Sequence, residues 1–90
     1  MKIVTGLGNP GPEYAGTRHN LGFEVLDRLA ASCALSGFSP RFRSEWASGA
    51  LDGCPVALMK PQTFMNLSGE AVREALAYHK ILPSDLLVVF

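Results

Sequence analysis

Apolar and polar positions follow several different rhythms along this chain, and each predicts an element. Residues 2–7 are almost continuously apolar, as in a strand covered on both faces. From about residue 20 the spacing becomes helical. Val25, Leu26, Leu29, Ala30 and Cys33 fall on one face, and Glu24 stands four residues before Arg28 on the other. This predicts a helix to about Leu35, capped by Thr17 or Asn20. Residues 36–40 form a breaker cluster. Beyond it, the strand-like runs 44–51 and 54–60 flank Asp52-Gly53, a dipeptide that tolerates the positive φ of a type I′ turn and so predicts an antiparallel hairpin. A polar loop over 61–66 follows. Ser68 then stands as the cap of a second helix, running to about Leu82 and closed by Pro83, and residues 86–90 read as a last strand.

Strands alternating with helices give the fold class: α/β, a single domain with a mixed β-sheet flanked by helices. The last run, LLVVF, is apolar on both faces and belongs inside a sheet, so the sequence reads as C-terminally truncated, residues 1–90 being the N-terminal part of one domain. Ninety residues allow no second domain. With 8 basic and 8 acidic residues the net charge is zero, so a polyanion would have to be met by a local patch. No run is long enough to span a bilayer, and the N-terminal apolar stretch stops at Gly6, too short for a signal peptide. Cys33 and Cys54 form no C-x-x-C pair and sit in apolar surroundings. They predict reduced core thiols in a cytoplasmic protein, with no metal site.

The candidate chemistry lies in the loop after the first strand. Gly6, Gly8 and Gly11 match G-x-G-x-x-G, half of a dinucleotide-binding fingerprint. Against that reading, Pro10 and Pro12 bracket Gly11, the helical pattern starts only near Asn20, and no acidic residue closes a second strand twenty residues on. The alternative starts from what the loop presents: Asn9, Tyr14, His19 and Asn20, with Gln62 to Asn66 as a second polar loop. A histidine with an ordinary pKa of ~6.5 suits a general base at neutral pH, and asparagine amides donate hydrogen bonds to a carbonyl or an oxyanion. These are parts of a hydrolytic site that uses no metal and no nucleophilic serine.

Three strings sharpen this reading: G-L-G-N-P-G-x-x-Y from Gly6, T-R-H-N-x-G from Thr17 and K-P-x-T-F-M-N-x-S-G from Lys60. In this order and spacing they closely resemble the N-terminal half of bacterial-type peptidyl-tRNA hydrolases. The resemblance implies a monomeric, cofactor-free carboxylic-ester hydrolase that releases tRNA from peptidyl-tRNA for reuse in translation. It makes His19 the base that activates water. Asn9 and Asn66 would grip the peptide backbone and polarise the scissile carbonyl, and Tyr14 and Met65 would line the cleft for the terminal adenosine and the peptide. Asn20 is expected as a cap or support of the site. Arg18 and Lys60 flank it, as phosphate contacts or as surface charges.

In that family an aspartate that orients the histidine directly follows the strand ending here at Phe90, and the main basic surface for tRNA lies in the second half. The ninety residues alone are therefore expected to be a poor hydrolase. The resemblance also leaves open a non-hydrolytic RNA-binding member of the same fold. His79 falls on the apolar side of the second helix and reads as a structural histidine. Arg41-Phe42-Arg43 mixes charge with an aromatic ring, as RNA binders do, but reads first as a solvated loop.

Overall fold

The computed structural model describes residues 1–8, 20–32, 35, 37–63 and 67–89. The elements are β1 (Lys2–Gly6), α1 (Leu21–Ser32), β2 (Ser39–Arg41), β3 (Ser44–Leu51), β4 (Cys54–Pro61), α2 (Ser68–His79), a short 3₁₀ turn (Pro83–Asp85) and β5 (Leu86–Val89). The strands form one sheet in the order β2-β3-β4-β1-β5. β1 runs parallel to both β4 and β5, while β2, β3 and β4 pair antiparallel. The sheet is therefore mixed, as expected.

Strand alternation sorts the side chains between two faces. On one face, Ile3, Trp46, Ala57 and Met59 form the core with Ala71 and Ala75 of α2. On the other, Lys60 reaches Asp27 of α1, and Leu26 of α1 lies over Gly6. The two helices thus cover opposite faces. The C-terminal half of β4 is buried throughout, as a strand sandwiched between two helices must be.

Two glycines let α1 approach the strands closely. A Cβ added to Gly22 would lie 2.5 Å from the Val89 carbonyl oxygen and 2.6 Å from the Leu7 nitrogen, and one added to Gly6 would lie 2.8 Å from Leu26 Cγ. Gly6 and Gly22 therefore let the first turn of α1 rest directly on the ends of β1 and β5. Gly22 and Leu26 are the buried residues of α1, whereas Val25, expected in the buried stripe, is 39% exposed.

The Asp52-Gly53 hairpin forms as predicted, with φ of 50° and 81° in the left-handed region and full pairing from Ser44↔Pro61 to Leu51↔Cys54. Other expectations are corrected. Residues 39 and 40, read as part of a breaker, open the short strand β2, where Pro40 is tolerated because the strand is at the edge of the sheet. Ser68 does not cap α2. The cap position is Leu67, without a side-chain hydrogen bond, and Ser68 is already inside the helix with its buried hydroxyl unpartnered among the described residues. That helix ends at His79 rather than near Leu82, because Lys80 takes a left-handed conformation and donates its N–H back to the Ala77 carbonyl. β5 forms as expected but lies at the sheet edge, with Leu87 61% exposed. Cys54 is an exposed free thiol in the first position of β4, not a core residue. Cys33 lies outside the described residues.

Candidate active site

β1 and β4 end side by side at the carboxyl edge of the sheet. β1 and β4 are parallel neighbours in the register Ile3↔Ala57 to Thr5↔Met59, so the segments that follow Gly8 and Thr63 depart from the same side. They re-enter the described structure at the N-termini of α1 and α2. Open α/β sheets bind ligands outside the carboxyl ends of their strands. His19, Asn9, Tyr14, Arg18, Met65 and Asn66 all fall in these segments and lie outside the described residues. The structure gives the frame that carries them.

Of the candidates carried by the first motif segment, Asn20 falls within the described residues. It is 7% exposed and directly precedes α1, and a Cβ added to Gly8 would meet its Oδ1 at 2.8 Å. The chain thus leaves at Gly8 and returns at Asn20 against the same spot. The absence of a side chain at Gly8 is what admits the asparagine amide.

Beside this frame, Lys60 takes neither of its expected roles. It is 8% exposed, on the α1 face of β4, and its ammonium pairs with Asp27 of α1 and with Glu45 of β3 at 3.1 Å. The Phe38 and Phe23 rings stand 4.3 and 5.8 Å from the ammonium. Burial of an ammonium requires such partners, and with both carboxylates engaged it has no charge left for a phosphate. This role could have been anticipated only from the pairing Glu45↔Lys60, which puts both residues on one face.

The turn between β2 and β3 forms the other wall of this edge. Phe42 and Arg43 both hold positive φ, 54° and 51°, a conformation costing roughly 1–2 kcal/mol per non-glycine residue. Ser44 Oγ donates to the Phe42 carbonyl, and the Gln62 N–H donates to the Arg43 carbonyl at 2.9 Å. Arg43 also reaches Glu74 and Glu70 of α2, at 3.3 and 3.7 Å. Phe42 and Arg43 therefore form a braced turn that follows Arg41 at the end of β2, while the side chains of both arginines stay exposed to solvent as expected. Between this turn and the exit of β4 opens a cleft of about 560 Å³, lined by residues that include Arg41, Ser44, Gln62 and Thr63.

His79 is structural, as its position predicts. Its ring stacks on Trp46 at 5.2 Å and 9°, and meets Phe42 and Tyr78 edge-on. Burial first, and the Arg41 guanidinium second, hold its pKa below the ordinary histidine value of 6.5. Among the described residues no three His, Cys, Asp or Glu side chains gather as a metal site requires, and no helix is long and apolar enough to cross a membrane.

The fold defines the class first: an open mixed α/β sheet with helices on both faces. Comparison then gives the family. Residues 3–90 match the family model described as peptidyl-tRNA hydrolase, and the chain belongs to that family. It is 51% identical over 90 residues to a peptidyl-tRNA hydrolase of Rhizobium meliloti and 47% identical to one of Brucella ovis, covering all of this chain but 38% and 36% of those proteins. The crystal structure of peptidyl-tRNA hydrolase from Acinetobacter baumannii is similar with a TM-score of 0.92 at 36% identity, over 98% of this chain and 45% of that one. The chain thus spans little more than a third of the length of these curated relatives.

Proposed function

We propose that these residues form the N-terminal part of a single-domain, monomeric cytoplasmic hydrolase that cleaves the ester between peptide and tRNA. The observation that carries this reading is the common departure of both motif-bearing segments from adjacent parallel strands, with Asn20 buried against Gly8 at the root of the first. In this reading His19 takes a proton from water as the water oxygen attacks the ester carbonyl carbon. Asn9 and Asn66 donate hydrogen bonds to the peptide main chain and to the oxyanion. Collapse of the tetrahedral intermediate breaks the bond to the ribose oxygen, which leaves with the proton held by His19, and the products are tRNA and a free peptide whose carboxylic acid gives its remaining proton to solvent. Tyr14 and Met65 line the cleft for the terminal adenosine and the peptide, Asn20 supports the His19 segment, and Arg18 meets a phosphate. An activated ester needs no cofactor for this chemistry.

The test joins these 90 residues to the remaining length of the Rhizobium meliloti relative and assays release of tRNA from an N-acetylated aminoacyl-tRNA. The hybrid is expected to turn over, and His19→Ala to lower kcat by about 10²–10⁴-fold, the usual contribution of a general base. The 90 residues alone are expected to give only traces. Turnover by the hybrid that is indifferent to His19→Ala would refute the role of the base. A folded hybrid that binds the RNA without turnover would favour a non-hydrolytic RNA binder.

A further inference from the structure

Arg41 is held unlike the other cations of the described sheet. Lys2, Arg43 and Lys60 each pair with a carboxylate, but among the described residues Arg41 pairs with none. Its guanidinium instead lies over aromatic rings, 5.0 Å from Phe42, 5.0 Å from Tyr78 and 5.7 Å from Trp46. These rings are braced in turn. Phe42 sits 5.3 Å from Trp46 and 5.4 Å from Tyr78, in the turn that Arg43 ties to α2. Arg41 is exposed and lines the cleft that ends at Gln62 and Thr63, where the segment bearing Met65 and Asn66 begins. The carboxylate in the same cleft, Glu45, is engaged by Lys60, and Arg43 is occupied by Glu70 and Glu74. Among the described residues lining the cleft, Arg41 is therefore the cation without a carboxylate partner, a planar guanidinium backed by aromatic rings.

We infer that this cleft binds a nucleotide of single-stranded RNA, with the Arg41 guanidinium stacking on the base or gripping the adjoining phosphate. The identity of the RNA as the peptidyl-tRNA substrate rests on the function proposed above. A guanidinium pre-ordered on aromatic faces loses little freedom on binding, and offers both a flat face for a base and N–H groups in fork geometry for a phosphate. The cleft volume is within the range of small-ligand sites. A peptide of arbitrary sequence gives no reason for a fixed unpaired cation, whereas every nucleotide carries an anion.

Trp46 is the single tryptophan of the chain and lies under Arg41, so its fluorescence reports occupancy. Tetra-adenylate is titrated into the 90-residue protein, with tetra-alanine as the peptide alternative. Tetra-adenylate is expected to change the Trp46 emission saturably. Arg41→Ala should weaken its binding about 5- to 150-fold, the range of ~1–3 kcal/mol per stacked base. Arg41→Lys should restore the dependence on salt, which changes by about 0.7 in log–log slope per phosphate contact, while recovering little of the affinity. Arg28→Ala, on the exposed side of α1, should bind as wild type. Circular dichroism melts identify variants that remain folded, and Arg41→Lys serves if Arg41→Ala does not. Binding of tetra-adenylate that is unchanged in the folded Arg41 variants would overturn the inference, as would absent binding or occupancy by tetra-alanine alone. RNA binding through Arg41 by a hybrid that fails to hydrolyse would leave this inference standing and sink the hydrolase reading.

Discussion

At the scale of the residue, His79 shows how packing sets a charge state. Its imidazole lies against Trp46, and its Nε2 is buried without a hydrogen-bond partner among the described residues. Burial, and then Arg41, lower its pKa, so the folded chain binds this proton less well than the unfolded chain does. The unfolded state therefore gains protons first as pH falls below about 6.5, and the stability tied to neutral His79 is lost from there down through the lowered folded value. Urea midpoints at pH 8 and pH 5.5 should show a larger loss for wild type than for His79→Phe. Equal losses in the two proteins would mean that His79 stays uncoupled from folding.

At the scale of the element, the seat of α1 on the sheet depends on having no side chain at Gly22. Gly22→Ala would push a methyl group into the Val89 carbonyl and the Leu7 backbone, neither of which can move without dragging a strand. The expected cost is about 1–3 kcal/mol, as for overpacking, measured by thermal or urea unfolding. Ala at Gly69, where an added Cβ meets nothing within 4 Å, should cost far less. The same contact explains where sequence reasoning reached its limit. Local chemistry was legible: Asp52-Gly53 declares its turn through its own φ preferences, and the continuous apolar run of β1 declares two-sided burial. Decisions made by a distant partner were not. β2 exists because β3 pairs with it, despite Ser39 and Pro40. The buried line of α1 is set by which residue is small enough to approach β1, so Gly22 goes in and Val25 stays out. Lys60 reads as a surface charge until Asp27 and Glu45 are brought to it. Of the site, the motifs put the candidate residues into two loops, and the topology brings the roots of those loops together. Arg41 was visible only as one member of an Arg-Phe-Arg string, because Trp46 and Tyr78, which give it its platform, come from β3 and α2.

At the scale of the whole molecule, one buried ammonium connects α1, β3 and β4 through Asp27, Glu45 and Lys60. The two ends of this arrangement are unequal. The carboxylates are 56% and 46% exposed and can rehydrate, whereas the lysine side chain is 10% exposed and cannot. Removing both acids together, Asp27→Ala with Glu45→Ala, should cost about 3–5 kcal/mol by stranding a buried cation. Lys60→Met should leave stability within about 1 kcal/mol of wild type, because an apolar side chain replaces the charge and nothing buried is left unpaired. Urea unfolding followed by Trp46 emission compares the two, and a Lys60→Met loss as large as the double alanine loss would contradict this asymmetry. Three positions remote in the chain are thereby bound to one history: descendants can discard the lysine first and the acids afterwards, but the reverse order passes through a protein that barely folds.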